Sequence, residues 1–181
     1  MKKVIVPLAH GVEELEIVSV IDVLRRAGVG VVVAAVSDIH IIAANLTKLS
    51  ADESLAKLNL KDFDAIVVPG GTQGAEHCSA SELLVGALKD FAAQGKLVAA
   101  ICASPAVVLA KHGLLNNVKA TCYPSLREQI PHYVDQAVVR DGHFITSQGP
   151  ATALAFALAV AETQAGPDVV ARVKEGMLVR N

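Results

Sequence analysis

Apolar positions along this chain fall into short unbroken blocks separated by stretches of helical period. Lys3–Leu8 (KVIVPL), Gly30–Ala35 (GVVVAA), residues 64–68 (DAIVV) and Leu97–Ile101 (LVAAI) are such blocks. Runs of this kind are typical of strands covered on both faces, as in a parallel sheet. Between the first two, Ile17, Val20, Ile21 and Leu24 form one stripe and predict a helix over 13–27. Glu13, Glu14 and Glu16 stand in its first turns and Arg25 and Arg26 in its last, as the helix dipole favours, and Gly28 stops it. Further helices are predicted over 81–93, 103–111, 152–163 and 167–174. The third of these is Ala-rich and apolar nearly all round, which predicts burial. Residues 39–55 carry β-rich pieces that read as an edge hairpin, and 119–122 reads as a short strand followed by a helical turn at Pro124. Residues 137–140 and 143–146 read as a hairpin turning at Asp141-Gly142.

Strands that alternate with helices predict an α/β fold in one domain over 1–181, with a mostly parallel sheet, helices on both faces and a small β-hairpin at the edge. In open sheets of this class ligands bind outside the carboxyl ends of the strands. Four places satisfy that rule: 8–16, 69–74, 102–105, and Tyr123-Pro124.

Composition narrows the function classes. The 181 residues are 52% hydrophobic and 19% charged, but only 3% aromatic with no Trp, so the core is aliphatic. The formal net charge of −2 is spread without a basic stripe, which speaks against nucleic-acid binding. The first apolar run is too short for a signal peptide and is followed at once by Glu13 and Glu14; no stretch is long and apolar enough to span a membrane. Three cysteines, an odd number, do not make a disulfide framework and point to a reducing, cytoplasmic setting. The six histidines show no metal-ligand spacing with each other or with the cysteines, so no metal site is expected.

One cysteine stands apart. In Ala99-Ala100-Ile101-Cys102-Ala103-Ser104-Pro105 a buried strand ends on Cys102 and a helix follows directly. Sharp strand-to-helix turns hold a nucleophile in a strained conformation and require small neighbours. A thiol at a helix N-terminus is also expected to have a lowered pKa. Cys78 and Cys122 have no comparable setting and read as structural or incidental, with His77 and Cys78 as a surface loop pair. Gly70 and Gly71, after the neighbouring strand, let backbone N–H groups approach a reacting oxygen and suit an oxyanion hole; without G-x-G-x-x-G or G-K-[ST] a phosphate loop has little support. Glu13 and Glu14 read as solvated helix-start residues. Glu16 borders the apolar stripe and is placed to point into the crevice.

Together, residues 11–16 (GVEELE), 69–71 (PGG), 99–105 (AAICASP) and 146–150 (TSQGP) resemble the ThiJ/PfpI superfamily, in the branch of the parkinsonism-associated deglycase and its bacterial relatives. The likeness covers nearly the whole chain with the motifs in order. It implies a flavodoxin-like three-layer sandwich, usually a homodimer. It makes Cys102 the nucleophile, Glu16 the carboxyl partner of its sulfur, and Gly70, Gly71 and Ala103 backbone donors. The implied activity is cofactor-free and glutathione-independent, on methylglyoxal-type 2-oxoaldehydes or glycated protein; the other family theme is redox sensing or chaperoning through oxidation of the same cysteine. Two departures matter. Tyr123 occupies the position where several members carry His, and a phenol is a poor base near neutrality. Ala103 stands where the protease-like branch has His, which argues against peptidase activity.

Overall fold

The computed structural model describes residues 1–180. Its centre is a seven-stranded sheet. β1 (Lys3–Leu8) pairs in parallel with β2 (Gly30–Ala35), which pairs in parallel with β5 (Glu53–Ser54) at one edge. Between β2 and β5 the chain makes a separate antiparallel hairpin, β3 (His40–Ile42) and β4 (Lys48–Ser50). On the other side of β1 lie β6 (Ala65–Val68) and β7 (Leu97–Ile101), both parallel. A two-stranded parallel ladder, β8 (Lys119–Ala120) with β9 (His132–Tyr133), stands off the main sheet. The far edge is the hairpin of β10 (Val138–Asp141) and β11 (Phe144–Ser147), with β11 parallel to β7. The order β10-β11-β7-β6-β1-β2-β5 reverses direction between β1 and β6, the switch point at which open α/β sheets leave a crevice.

The central strands are buried because both faces are covered. Val4 to Val6, Ile66 to Val68 and Val98 to Ile101 have no exposed surface. One helical layer is α1 (Glu14–Arg26), α4 (Ala153–Ala165) and α5 (Pro167–Gly176); the other contains α2 (Thr72–Ala80) and α3 (Glu82–Ala93). The stripe read from the sequence does the packing in α1, where Ile17, Val20 and Leu24 are buried. In α4, Phe156 fills the centre of the layer while Leu154 and Ala155 remain exposed, so that helix is buried on most but not all of its surface. Ser81 opens α3 as expected, its Oγ accepting from the Leu84 N–H at 3.3 Å.

The structure departs from the sequence reading in four places. Residues 72–80 are helical, so the glycine pair leads into α2 rather than an open loop, and Cys78 lies fully buried inside that helix rather than in a surface loop. The turn after Cys102 runs into a π-helix, Pro105–Ala110, in place of a regular α-helix. Residues 53–54 leave the edge hairpin and join the main sheet as β5. The strand expected over 119–122 is only two residues long. Among the described residues, no helix is long and apolar enough to cross a membrane.

Candidate active site

Three strand ends converge at the switch point. Glu16 sits in the first turn of α1, after β1, and is completely buried. Gly70 and Gly71 follow β6, and Cys102 follows β7. The Gly70 N–H donates to Glu16 Oε2 at 2.8 Å, so its place is in holding the carboxyl rather than facing a substrate. The N–H groups that act on the sulfur are those of Gly71 and Ala103.

Cys102 has φ +64°, a left-handed conformation rare outside glycine. Cα strain of this kind persists only where neighbours over-determine it, and here they do. The Cys102 N–H donates to the Ser147 carbonyl at 2.9 Å, and its own carbonyl accepts from the Tyr123 N–H at 2.8 Å. Ser104 Oγ donates to the Pro69 carbonyl at 2.6 Å, tying the turn to the end of β6. The segment 146–150 therefore meets the cysteine through a backbone carbonyl.

The glycines are required by close approach. A Cβ on Gly70 would lie 2.5 Å from the Cys102 Cβ and 2.7 Å from Glu16 Oε2. A Cβ on Gly71, at φ +85°, would lie 2.2 Å from the Gly11 carbonyl oxygen. Gly70→Ala is accordingly expected to push the sulfur and the carboxyl apart, to lower thermal stability, and to cost at least tenfold in any activity that needs the pair. Melting curves and turnover of purified variant check both.

The electrostatics couple the two groups. Burial raises the Glu16 pKa from 4.5 to about 7 against the opposing hydrogen bonds from Gly70 and the Cys102 side chain. Its Oε1 is buried without a hydrogen-bond partner of good geometry among the described residues. Burial first, and the facing Glu16 carboxylate second, push the Cys102 thiol up to about 12, while the Gly71 and Ala103 N–H groups pull the other way. This corrects the expected lowering of the thiol pKa. No regular α-helix begins at Cys102, so a full helix dipole does not act on the sulfur, and a neighbouring carboxylate opposes a second negative charge. The sulfur ionises readily only when Glu16 keeps the proton.

The sulfur opens onto a cavity of about 710 Å3 whose lining includes Gly71, Ala103, Tyr123 and Gln129. Tyr123 is 46% exposed at its rim. Glu13 and Glu76 also line it. Sequence reasoning missed both: Glu13 was expected to be solvated, and Glu76 lies on the unforeseen α2. Glu14, also expected to be solvated, accepts the Asn45 N–H at 3.0 Å and so anchors the tip of the β3–β4 hairpin. Among the described residues no group of His, Cys, Asp and Glu side chains is arranged to hold a metal ion.

A strained, half-buried cysteine facing a buried carboxyl at the switch point of a doubly wound sheet defines a cysteine-centred α/β site. The comparisons agree in kind: the DJ-1/PfpI family model matches residues 2–163, and the chain belongs to that family. It is 42% identical over 183 residues to protein dj-1beta of Drosophila melanogaster, covering 98% of this chain and 97% of that one. It shares 35% identity over 160 residues with the glutathione-independent glyoxalase DJR-1.2 of Caenorhabditis elegans, covering 86% and 84%. Against DJ-1 homolog B of Arabidopsis thaliana it is 42% identical over 180 residues, but spans only 41% of that longer protein. Among solved structures, oxidized DJ-1 of Toxoplasma gondii superposes with a TM-score of 0.97 at 41% identity, each chain fully covered.

Proposed function

We propose that the protein is a cofactor-free, glutathione-independent glyoxalase acting on methylglyoxal-type 2-oxoaldehydes or their early adducts. The observation that carries this reading is the pairing of Cys102 with a fully buried Glu16 whose pKa stands at about 7. A carboxyl tuned to that range both accepts and returns a proton at neutral pH.

The chemistry follows from that pair. As the proton settles on Glu16, the Cys102 thiolate adds to the aldehyde carbon, forming a C–S bond and an alkoxide. The N–H groups of Gly71 and Ala103, already directed at the sulfur, stabilise that charge and its protonation gives a hemithioacetal. Glu16 as carboxylate then removes the proton from the former aldehyde carbon and returns one to the adjacent carbon through an enediol, leaving a thioester of a 2-hydroxy acid. Water cleaves the thioester, releases the acid and restores the thiol. The sum is the oxoaldehyde plus water giving a 2-hydroxy acid, with no external oxidant or reductant. The assay is formation of lactate from methylglyoxal in the absence of glutathione.

Tyr123 serves substrate binding in this scheme. Tyr123 lines the cavity, and in this scheme its hydroxyl donates to the substrate's ketone oxygen. Tyr123→Phe is expected to raise KM about fivefold with little change in kcat, the effect of one neutral hydrogen bond. Unchanged kinetics would show that the ring only packs.

A further inference from the structure

The cavity beside Cys102, at about 710 Å3, is much larger than a small oxoaldehyde fills, so a larger substrate has part of its structure resting on the lining. The charged lining is of one sign. Glu13 stands at the N-cap of α1 and Glu76 on the exposed side of α2, and no Lys, Arg or His is among the described residues that line the space. Glu13 is steadied there by Asn45, whose Nδ2 donates to its two carboxylate oxygens at 3.3 and 3.4 Å. Its charge is felt at Glu16, whose pKa it helps to raise after burial. The remaining polar lining, including Thr72, Ser125 and Gln129, is neutral and leaves that sign uncompensated.

Resting on the reading of Cys102 as the nucleophile, we propose that Glu13 and Glu76 form a charge filter at the mouth of the site. A 2-oxoaldehyde carrying a remote cationic group, such as an ammonium or guanidinium, is drawn in, a neutral one is accepted, and a carboxylate-bearing one is turned away. Glu76 is exposed and Glu13 is half-buried beside Asn45, so each acts as a solvent-screened charge worth about threefold in kcat/KM per unit of substrate charge. Two carboxylates acting on substrates that differ by two charges separate cation from anion by roughly eightyfold.

Phenylglyoxals of similar size test this: para-trimethylammonio, unsubstituted and para-carboxylate. Wild type is expected to rank them in that order of kcat/KM, with the difference carried by KM and compressed by added salt. Glu76→Gln is expected to shrink the cation-to-anion ratio about tenfold, and Glu76→Lys to bring it near parity. Comparing each variant with wild type cancels the electronic effect of the substituents on the aldehyde, and position 76 is exposed on its helix, so the fold is retained. A ratio that Glu76→Lys leaves unchanged overturns the filter while the reading of the site stands. Failure of wild type to turn over any of the three overturns the reading of Cys102, and the filter with it.

Discussion

Cys102→Ser is expected to abolish formation of lactate from methylglyoxal, with kcat/KM falling by at least roughly a thousandfold. The substitution keeps the size of the side chain and the hydrogen bonds of the turn, which are made by the backbone of residue 102 to Ser147 and Tyr123. What changes is the acidity and nucleophilicity of the attacking atom. A thiol pushed up to about 12 by burial and by Glu16 still reaches its anion by passing a proton to a carboxyl that rests at about 7. A serine hydroxyl in the same place lies several further powers of ten from ionisation, beyond what the Gly71 and Ala103 N–H groups make up. Retained turnover in the serine variant, with the fold intact by circular dichroism, would remove the sulfur from the chemistry. The wild-type protein separates the rival reading, a redox-responsive role. A sulfinic acid on Cys102 would take a hydrogen bond from protonated Glu16, so mild peroxide followed by mass spectrometry reads the modification directly. Selective sulfinate at Cys102 in a wild type that turns over no aldehyde would favour the sensor over the enzyme.

How much of this site was legible in the sequence depends on whether its causes are local. Cys102, Gly70 and Gly71 sit at the ends of apolar runs typical of buried parallel strands, so strand position and site position were read together. Glu16 was legible because it borders the stripe of Ile17, Val20 and Leu24 and is brought by α1 to the ends of β6 and β7. The α2 helix was not, because TQGAEHCSA carries no apolar stripe. Its buried residues are Gly74, Ala75, Cys78 and Ser79, and Gly74 is there because a Cβ would lie 2.7 Å from the Val12 Cα. That is a tertiary constraint, invisible to periodicity. The acidic mouth was missed for a related reason. Glu13 and Glu76 are remote in the chain, and only the packing of α2 beside the loop before α1 sets them around one space. The pKa of the thiol was misread because a dipole argument uses the sequence neighbours alone, whereas the opposing carboxylate comes from a different segment.

The common device is a short chain of backbone contacts that joins three strand ends. Gly70 donates to Glu16, its carbonyl accepts from the Glu13 N–H at 3.1 Å, and the Pro69 carbonyl accepts from Ser104. Each of the three segments is thus fixed by another, which is what permits a left-handed cysteine and a buried carboxyl to coexist in one fold. Both features cost stability, and both lie at the one place where the sheet topology leaves room for a ligand.

That cost is measurable at Glu16. Its carboxyl has a pKa of about 7 in the folded protein against 4.5 when exposed, so between those values the native state holds a proton that the unfolded chain has lost. Stability therefore declines as pH rises through this window: the contribution is fully present below 4.5 and gone above about 7. The difference corresponds to about 3 kcal/mol. For a chain of this size that is roughly 6–12 °C in Tm. Glu16→Gln keeps an oxygen to accept the Gly70 N–H but carries no charge at any pH. The variant is expected to lose this part of the pH dependence, so that Tm of wild type minus Tm of variant drops by roughly that amount between pH 4.5 and pH 8. Other titrating groups, such as Asp64 with its ion pair to Lys2 at 2.7 Å, cancel in the difference. The same substitution removes the proton shuttle, and kcat for methylglyoxal is expected to fall by a factor on the order of a hundred to ten thousand, while Cys102 remains open to alkylation by iodoacetamide. A variant that is inactive, alkylatable and more stable than wild type at pH 8 would establish that Glu16 is held buried for its chemistry and against the stability of the fold. A Tm difference that does not move with pH would mean that the carboxyl is not the buried, neutral acid on which the mechanism depends.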